Sequence, residues 1–198
     1  GSLANNGFVI AWEDSGDMQG GAGVTSIKAQ MFDASGSKQG GEFVVNAIAA
    51  SSQKDPAIAS LSNGGFVISW NDEADGSIKA QLFDANGARR GVELSVTEGP
   101  RAGSYAPSIT ELSNGNFVVT WYDNGTSLGD NSGVSINAQL FDASGSKIGS
   151  AFLVNTKTEG DQAYPAIADL GNGGFVISWQ DRAAIPLGSS WLDEFPWA

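Results

Sequence analysis

Between residues 3 and 181 the chain alternates short apolar runs with punctuation rich in Gly, Asn, Asp and Ser, and one run is written four times. "NNGFVIAW", "NGGFVISW", "NGNFVVTW" and again "NGGFVISW" put Phe8, Phe66, Phe117 and Phe175 at equivalent positions. In an extended strand Phe66, Ile68 and Trp70 share one face, and Val67 and Ser69 take the other. Both faces are apolar or small, which is the pattern of a strand buried on two sides.

The same periodicity predicts three further strands in each repeat. "PAIASL" at residues 56–61, with counterparts at 107–112 and 165–170, precedes the Phe run. A third strand opens at Ile27, Ile78 and Ile136 and alternates Ile78, Ala80 and Leu82 against Lys79, Gln81 and Phe83. "EFVVN", "VELSV" and "AFLVN" form the fourth. No stretch before residue 180 sustains a helical period of 3.6, so the chain reads as all-β. "SNGG" and its relatives close one hairpin and "DASG" or "DANG" the other, with Gly and Asn supplying the positive φ that tight turns need. Both short turns then lie at one end of each sheet, and the longer connections at the opposite end.

Four antiparallel strands and a Trp per repeat predict a β-propeller-like array of blades, three complete repeats plus a partial fourth, over residues 3–181. A β-trefoil-like arrangement is the alternative. The interval from each third-strand Ile to the next Phe is constant, so length varies only between the motif Trp and that Ile. Repeat proteins concentrate insertions on one face, often the binding face. The first repeat opens at Leu3, equivalent to Leu61, and lacks its first strand; the last breaks off after its second. Exposed apolar faces on terminal blades predict self-association through blade edges, or a longer array.

Composition removes whole chemistries. The 198 residues contain no Cys and no His, which excludes thiol nucleophiles, disulfides, thiolate metal sites and imidazole general bases. A net charge of −12 with only ten Lys and Arg argues against nucleic acid as a partner, and no apolar run is long enough for membrane insertion. Cations and neutral polar ligands fit better.

After each motif Trp come one residue and an Asp, giving Asp14, Asp72, Asp123 and Asp181 at the mouth of the variable loop. Such an Asp caps a loop. Together with Asp17, Glu73, Asp75 and Asp130 it also offers the oxygen density that calcium requires, so these loops are candidate calcium sites, with no other cofactor expected. Tyr105, Tyr122, Tyr164 and Arg101 fall near the same end and are candidates for contact with a glycan. Asp33, Asp84 and Asp142 read as hairpin turns, and Gln30, Gln81 and Gln139 as strand amides that satisfy nearby backbone groups. Residues 182–198 break the repeat. There Trp191, Phe195 and Trp197 suggest a docking peptide, and a disordered end is the other reading.

The motifs "GGFVISW", "IKAQLFDANG" and "FLVNTKTEGDQAYPAIADL" resemble the repeated modules of very large secreted bacterial proteins of the RTX and adhesin type, across residues 3–181. The resemblance implies a secreted or cell-surface location and a non-enzymatic role in adhesion or structural interaction, with a glycan or cell-surface partner. A carbohydrate-binding lectin is the second expectation. A glycosidase is the third and least favoured, because no repeat stands apart as a catalytic centre should.

Overall fold

The computed structural model describes residues 1–3, 6–16, 23–47, 51–97, 103–124, 128–130 and 132–182. Its thirteen strands are β1 (Phe8–Asp14), β2 (Ser26–Phe32), β3 (Lys38–Val44), β4 (Gln53–Ser60), β5 (Phe66–Asp72), β6 (Ser77–Phe83), β7 (Arg89–Ser95), β8 (Ser104–Glu111), β9 (Phe117–Asp123), β10 (Ser135–Phe141), β11 (Lys147–Leu153), β12 (Asp161–Asp169) and β13 (Phe175–Arg182). They pair in sequence order as antiparallel meanders: β1-β2-β3, β4-β5-β6-β7, β8-β9-β10-β11 and β12-β13. We number these sheets blades 1 to 4.

The all-β array of blade-like sheets is as the repeat predicts, with a first sheet that lacks its first strand and a last one that ends after its second. Two sheets, rather than three, are complete in themselves. Blade 1 has only a stub of its first strand, a single bridge from Ser2 to Phe8. Each repeat keeps its strand pairing to itself, which sets the trefoil aside, because a trefoil shares its barrel strands among repeats.

Blades stack face to face with one recurring geometry. The Val67, Ile78, Ala80 and Leu82 face of blade 2 receives Phe117, Val119, Trp121 and Phe141 of blade 3. Likewise Val9, Ile27, Ala29 and Met31 of blade 1 receive Phe66, Ile68, Trp70 and Phe83 of blade 2, and Val118 and Ala138 of blade 3 receive Phe175 and Ile177 of blade 4. Hence β5 is buried along its whole length. At the ends of the array the same positions lie open: Ile10, Val176 and Leu170 are 46%, 50% and 59% exposed.

The first strands β4, β8 and β12 pack side by side and form the inner layer, whereas the fourth strands β3, β7 and β11 are mostly exposed. At the tight-turn end the inner hairpins are tied together. Ser62 N donates to the Glu111 carboxylate at 2.8 Å, and Gly173 N to Ser113 Oγ at 2.7 Å. Gln30, Gln81 and Gln139 each donate their amide to carbonyls at a bulge between third and fourth strands. Asp33 and Asp142 accept the backbone N–H groups two and four residues on, so both carboxyls sit below their usual range, chiefly through the Ser35 and Ser144 hydroxyls.

Candidate functional site

At the opposite end, each inner strand carries the same irregularity. Register slips between Lys54 and Ala57, Tyr105 and Ser108, and Ala163 and Ala166. Each slip holds a residue with positive φ directly before a proline: Asp55 at 54°, Ala106 at 44° and Tyr164 at 55°. Left-handed backbone is unfavourable for residues with a Cβ, and a following proline ring disfavours helical φ and ψ as well. Bulges of this kind re-aim side chains and concentrate beside functional sites.

The re-aimed positions converge on Tyr122. Its ring lies 5.4 Å from Tyr105, its partner across β8 and β9, and 5.4 Å from Tyr164 in an edge-on contact. Arg182 sits over Tyr164 at 5.8 Å from the ring centre. Burial raises the Tyr122 phenol above its ordinary pKa, and Tyr164, the Asp55 charge and Tyr105 push the same way. Blades 3 and 4 therefore bring three aromatic rings to one place, and the Asp55 charge of blade 2 is felt there. From blade 1, Glu13 Oε1 accepts the Asp55 N–H at 2.9 Å. Lys54 pairs with Glu73 at 2.8 Å, which raises the lysine's pKa.

In the W-x-D motif the aspartates turn toward the loops. Asp72 Oδ1 accepts from Ser51 Oγ, Gln53 Nε2 and Ala74 N. Asp14 pairs with Lys28 and accepts from Gly16 N, Asp123 accepts from Ser104 Oγ, and Asp181 pairs with Lys157 at 3.0 Å. Asp75 accepts from Ser77 N and faces Lys79, while Asp130 accepts from Ser132 N and from Asn155 Nδ2. Among the described residues, no three His, Cys, Asp or Glu side chains are grouped to hold a metal ion. Asp17, Arg101, Trp191, Phe195 and Trp197 lie outside the described residues.

The residue between Trp and Asp is the one that reaches the next blade. Glu13 meets the Asp55 N–H, Asn71 donates to the Ser104 carbonyl, and Tyr122 meets Tyr164. Reading along the chain singled out the three tyrosines but passed over Glu13 and Asp55. Their signal was available: Glu13 occupies a changing position between a constant Trp and a constant Asp, and Asp55 a changing position before a constant Pro.

No family model and no curated protein matches the sequence. Solved structures do share its fold. A protein of unknown function from Dyadobacter fermentans matches with a TM-score of 0.66 at 12% identity, over 91% of this chain and 47% of its own. A thermostable family-43 glycoside hydrolase matches at 0.55 and 12% identity, over 89% of this chain and 62% of its own. A GH43 endo-arabinanase from Bacillus licheniformis matches at 0.50 and 18% identity, over 90% and 71%. The chain thus spans about half to seven tenths of the structures it resembles.

These likenesses are of fold, and they correct three expectations. The relatives in structure include glycoside hydrolases rather than RTX or adhesin repeat proteins, because runs such as "GGFVISW" encode blade packing and not the kind of parent protein. The non-enzymatic adhesion role loses its basis with that resemblance. The expectation of no enzymatic activity is overturned as well, since glycoside hydrolases share the fold, and its premise of equivalent repeats fails on geometry. One blade does stand apart: Tyr105 and Tyr122 pair only in blade 3, where blade 2 has Lys54 with Asn71 and blade 4 has Ala163 with Gln180.

Proposed function

We propose that the chain is a carbohydrate-binding domain that receives a neutral polysaccharide or oligosaccharide at the inner-strand mouth. The observation that carries this is the convergence of Tyr105, Tyr122 and Tyr164 beside Asp55. Tyrosine offers rigid, amphipathic area at low entropic cost, suited to the C–H faces of a sugar ring, and a carboxylate makes strong charge-assisted hydrogen bonds to hydroxyls. Glu13, Asp55 and Glu73 outnumber Lys54 and Arg182 here, and the chain carries a charge of −12, so an anionic uronate polymer is repelled.

Affinity electrophoresis through gels containing neutral polysaccharides tests the reading. Arabinan is the first probe, since an endo-arabinanase shares the fold. Retarded migration that Tyr164→Ala abolishes is the expected result; unretarded migration across arabinan, xylan, glucan and mannan gels refutes it. Tyr164→Ala is conformationally safe because Ala106 already holds the same backbone geometry in blade 3.

A second reading, hydrolysis, is favoured by one contact, the tie between Glu13 and the Asp55 backbone that sets two carboxylates in adjacent blades at the same mouth. Paired carboxylates are the usual machinery of glycoside hydrolysis. Release of reducing ends that disappears in Asp55→Asn supports it, and binding without any release limits the chain to recognition.

A further inference from the structure

Three times the inner strand departs from regular pairing in the same way, and three times the residue placed there differs in size and chemistry: a carboxylate at Asp55, a methyl group at Ala106, a phenol at Tyr164. The residue before each also changes, from Lys54 to Tyr105 to Ala163, but the frame around them is constant. A proline follows each one, and an interblade hydrogen bond precedes each, from Gln53 N to Thr25 O, Ser104 N to Gly76 O and Gln162 N to Val134 O. A strained bulge repeated for folding alone has no reason to keep a Cβ at φ of 44° to 55°, where glycine adopts the geometry freely.

Resting on the carbohydrate reading above, we propose that these bulges form a reading set for the bound sugar, with Ala106 as its size-determining position. Blade order puts Ala106 between Asp55 and Tyr164, and Ala106 follows Tyr105, the strand partner of Tyr122, whose ring meets Tyr164 edge-on at 5.4 Å. The carboxylate on one side takes hydroxyls. The phenol on the other meets a ring edge. The Ala106 methyl group, in the bulge next to the Tyr105 and Tyr122 pair, is the smallest of the three side chains and leaves the most room there. A larger residue at 106 takes up that room and excludes the ligand while Asp55, Tyr122 and Tyr164 are themselves unchanged.

The variant Ala106→Tyr tests this on the intact chain. Tyr164 shows that the bulge accepts tyrosine at φ of 55°, so the variant is expected to fold, and its near-UV circular dichroism and melting temperature verify that. Val92→Tyr, which adds the same ring at a position 80% exposed on outer strand β7, controls for a merely stickier surface. With whichever neutral polysaccharide retards the wild type, Ala106→Tyr should weaken retardation at least tenfold and Val92→Tyr should leave it unchanged. A folded Ala106→Tyr that binds as the wild type does overturns the size role while leaving carbohydrate binding intact. A wild type that binds no polysaccharide overturns both. Ala106→Gly supplies a ligand-free arm: relief at φ of 44° should leave its melting temperature equal or higher, and a clear fall removes the strain on which the inference stands.

Discussion

Gln53 is the place where the packing of a blade depends on one polar contact. Trp70 is fully buried, and its indole Nε1 donates to Gln53 Oε1 at 2.7 Å, while the Gln53 amide donates to Asp72 Oδ1 at 3.1 Å. Replacing Gln53 with Ser leaves the indole N–H without an acceptor, which costs about 1–3 kcal/mol. The space vacated by the longer side chain adds about 1 kcal/mol. A loss of about 2–4 kcal/mol in a chain of this size lowers Tm by about 4–16 °C, read by thermal melting and by urea unfolding at constant m. Blade 3 is the natural version of this variant: Ser104 stands where Gln53 does, and Trp121 Nε1 has no partner. Ser104→Gln should therefore raise Tm, since the new amide meets Asp123 and its carbonyl meets Trp121. In a Trp70→Phe background the Gln53→Ser penalty should shrink by about 1–2 kcal/mol. A Gln53→Ser protein that melts within a degree or so of the wild type would refute the reasoning.

Position within the stack should decide the cost of truncating an equivalent residue. Ile68→Ala, at a site with no exposure, should cost about 2–5 kcal/mol, and Ile10→Ala, 46% exposed, under about 1.5 kcal/mol; equal costs in chemical denaturation would contradict the stacking geometry. Acid should destabilise the fold. Asp14, held low chiefly by its hydrogen bond to Lys28, and Asp33 and Asp142, held low by Ser35 and Ser144, contribute stability that is complete above about pH 4, near the unfolded pKa, and is lost as pH falls through their lower folded values. Tm should hold steady down to that point and then drop, whereas a rise toward pH 3 would show that relief of the −12 charge outweighs these bonds. Millimolar calcium should leave Tm unchanged, because the described loop acids already hold lysines or backbone N–H groups that a cation would have to displace; a calcium-dependent rise would restore the loops as metal sites.

Much of the scaffold was legible because strand burial and turn chemistry leave strong local marks. Period-2 alternation located the strands, Asn and Gly located the tight turns, and Gln81 could be assigned to backbone satisfaction before its contact with the Arg90 carbonyl was seen. The missing first strand before Phe8 and the break after the last second strand were legible too, but they leave two complete sheets rather than three. The site was half legible. Tyrosines near the variable loops are noticeable by type, but Glu13 and Asp55 are ordinary acids in a chain with 22 of them. Only the bulge before proline, a feature of register, sets Asp55 apart from them.

The aspartate of W-x-D drew notice because it recurs, and recurrence turned out to mark a shared structural need: Asp72, Asp14 and Asp123 each accept hydrogen bonds at the mouth of a loop. A recurring residue in a stack of near-identical blades answers to what every blade requires. A ligand that bridges neighbouring blades meets each of them differently, so the residues that meet it must differ between blades while their backbone frames stay alike. Positions after the Trp and around the inner-strand bulge satisfy both conditions. After the Trp stand Glu13, Asn71, Tyr122 and Gln180, and before the inner-strand proline stand Asp55, Ala106 and Tyr164; the first set reaches across to the strand that carries the second. Divergence inside an otherwise constant frame is therefore the sequence signal for the proposed site, and on that proposal recognition begins one residue after the Trp rather than at the repeated acid.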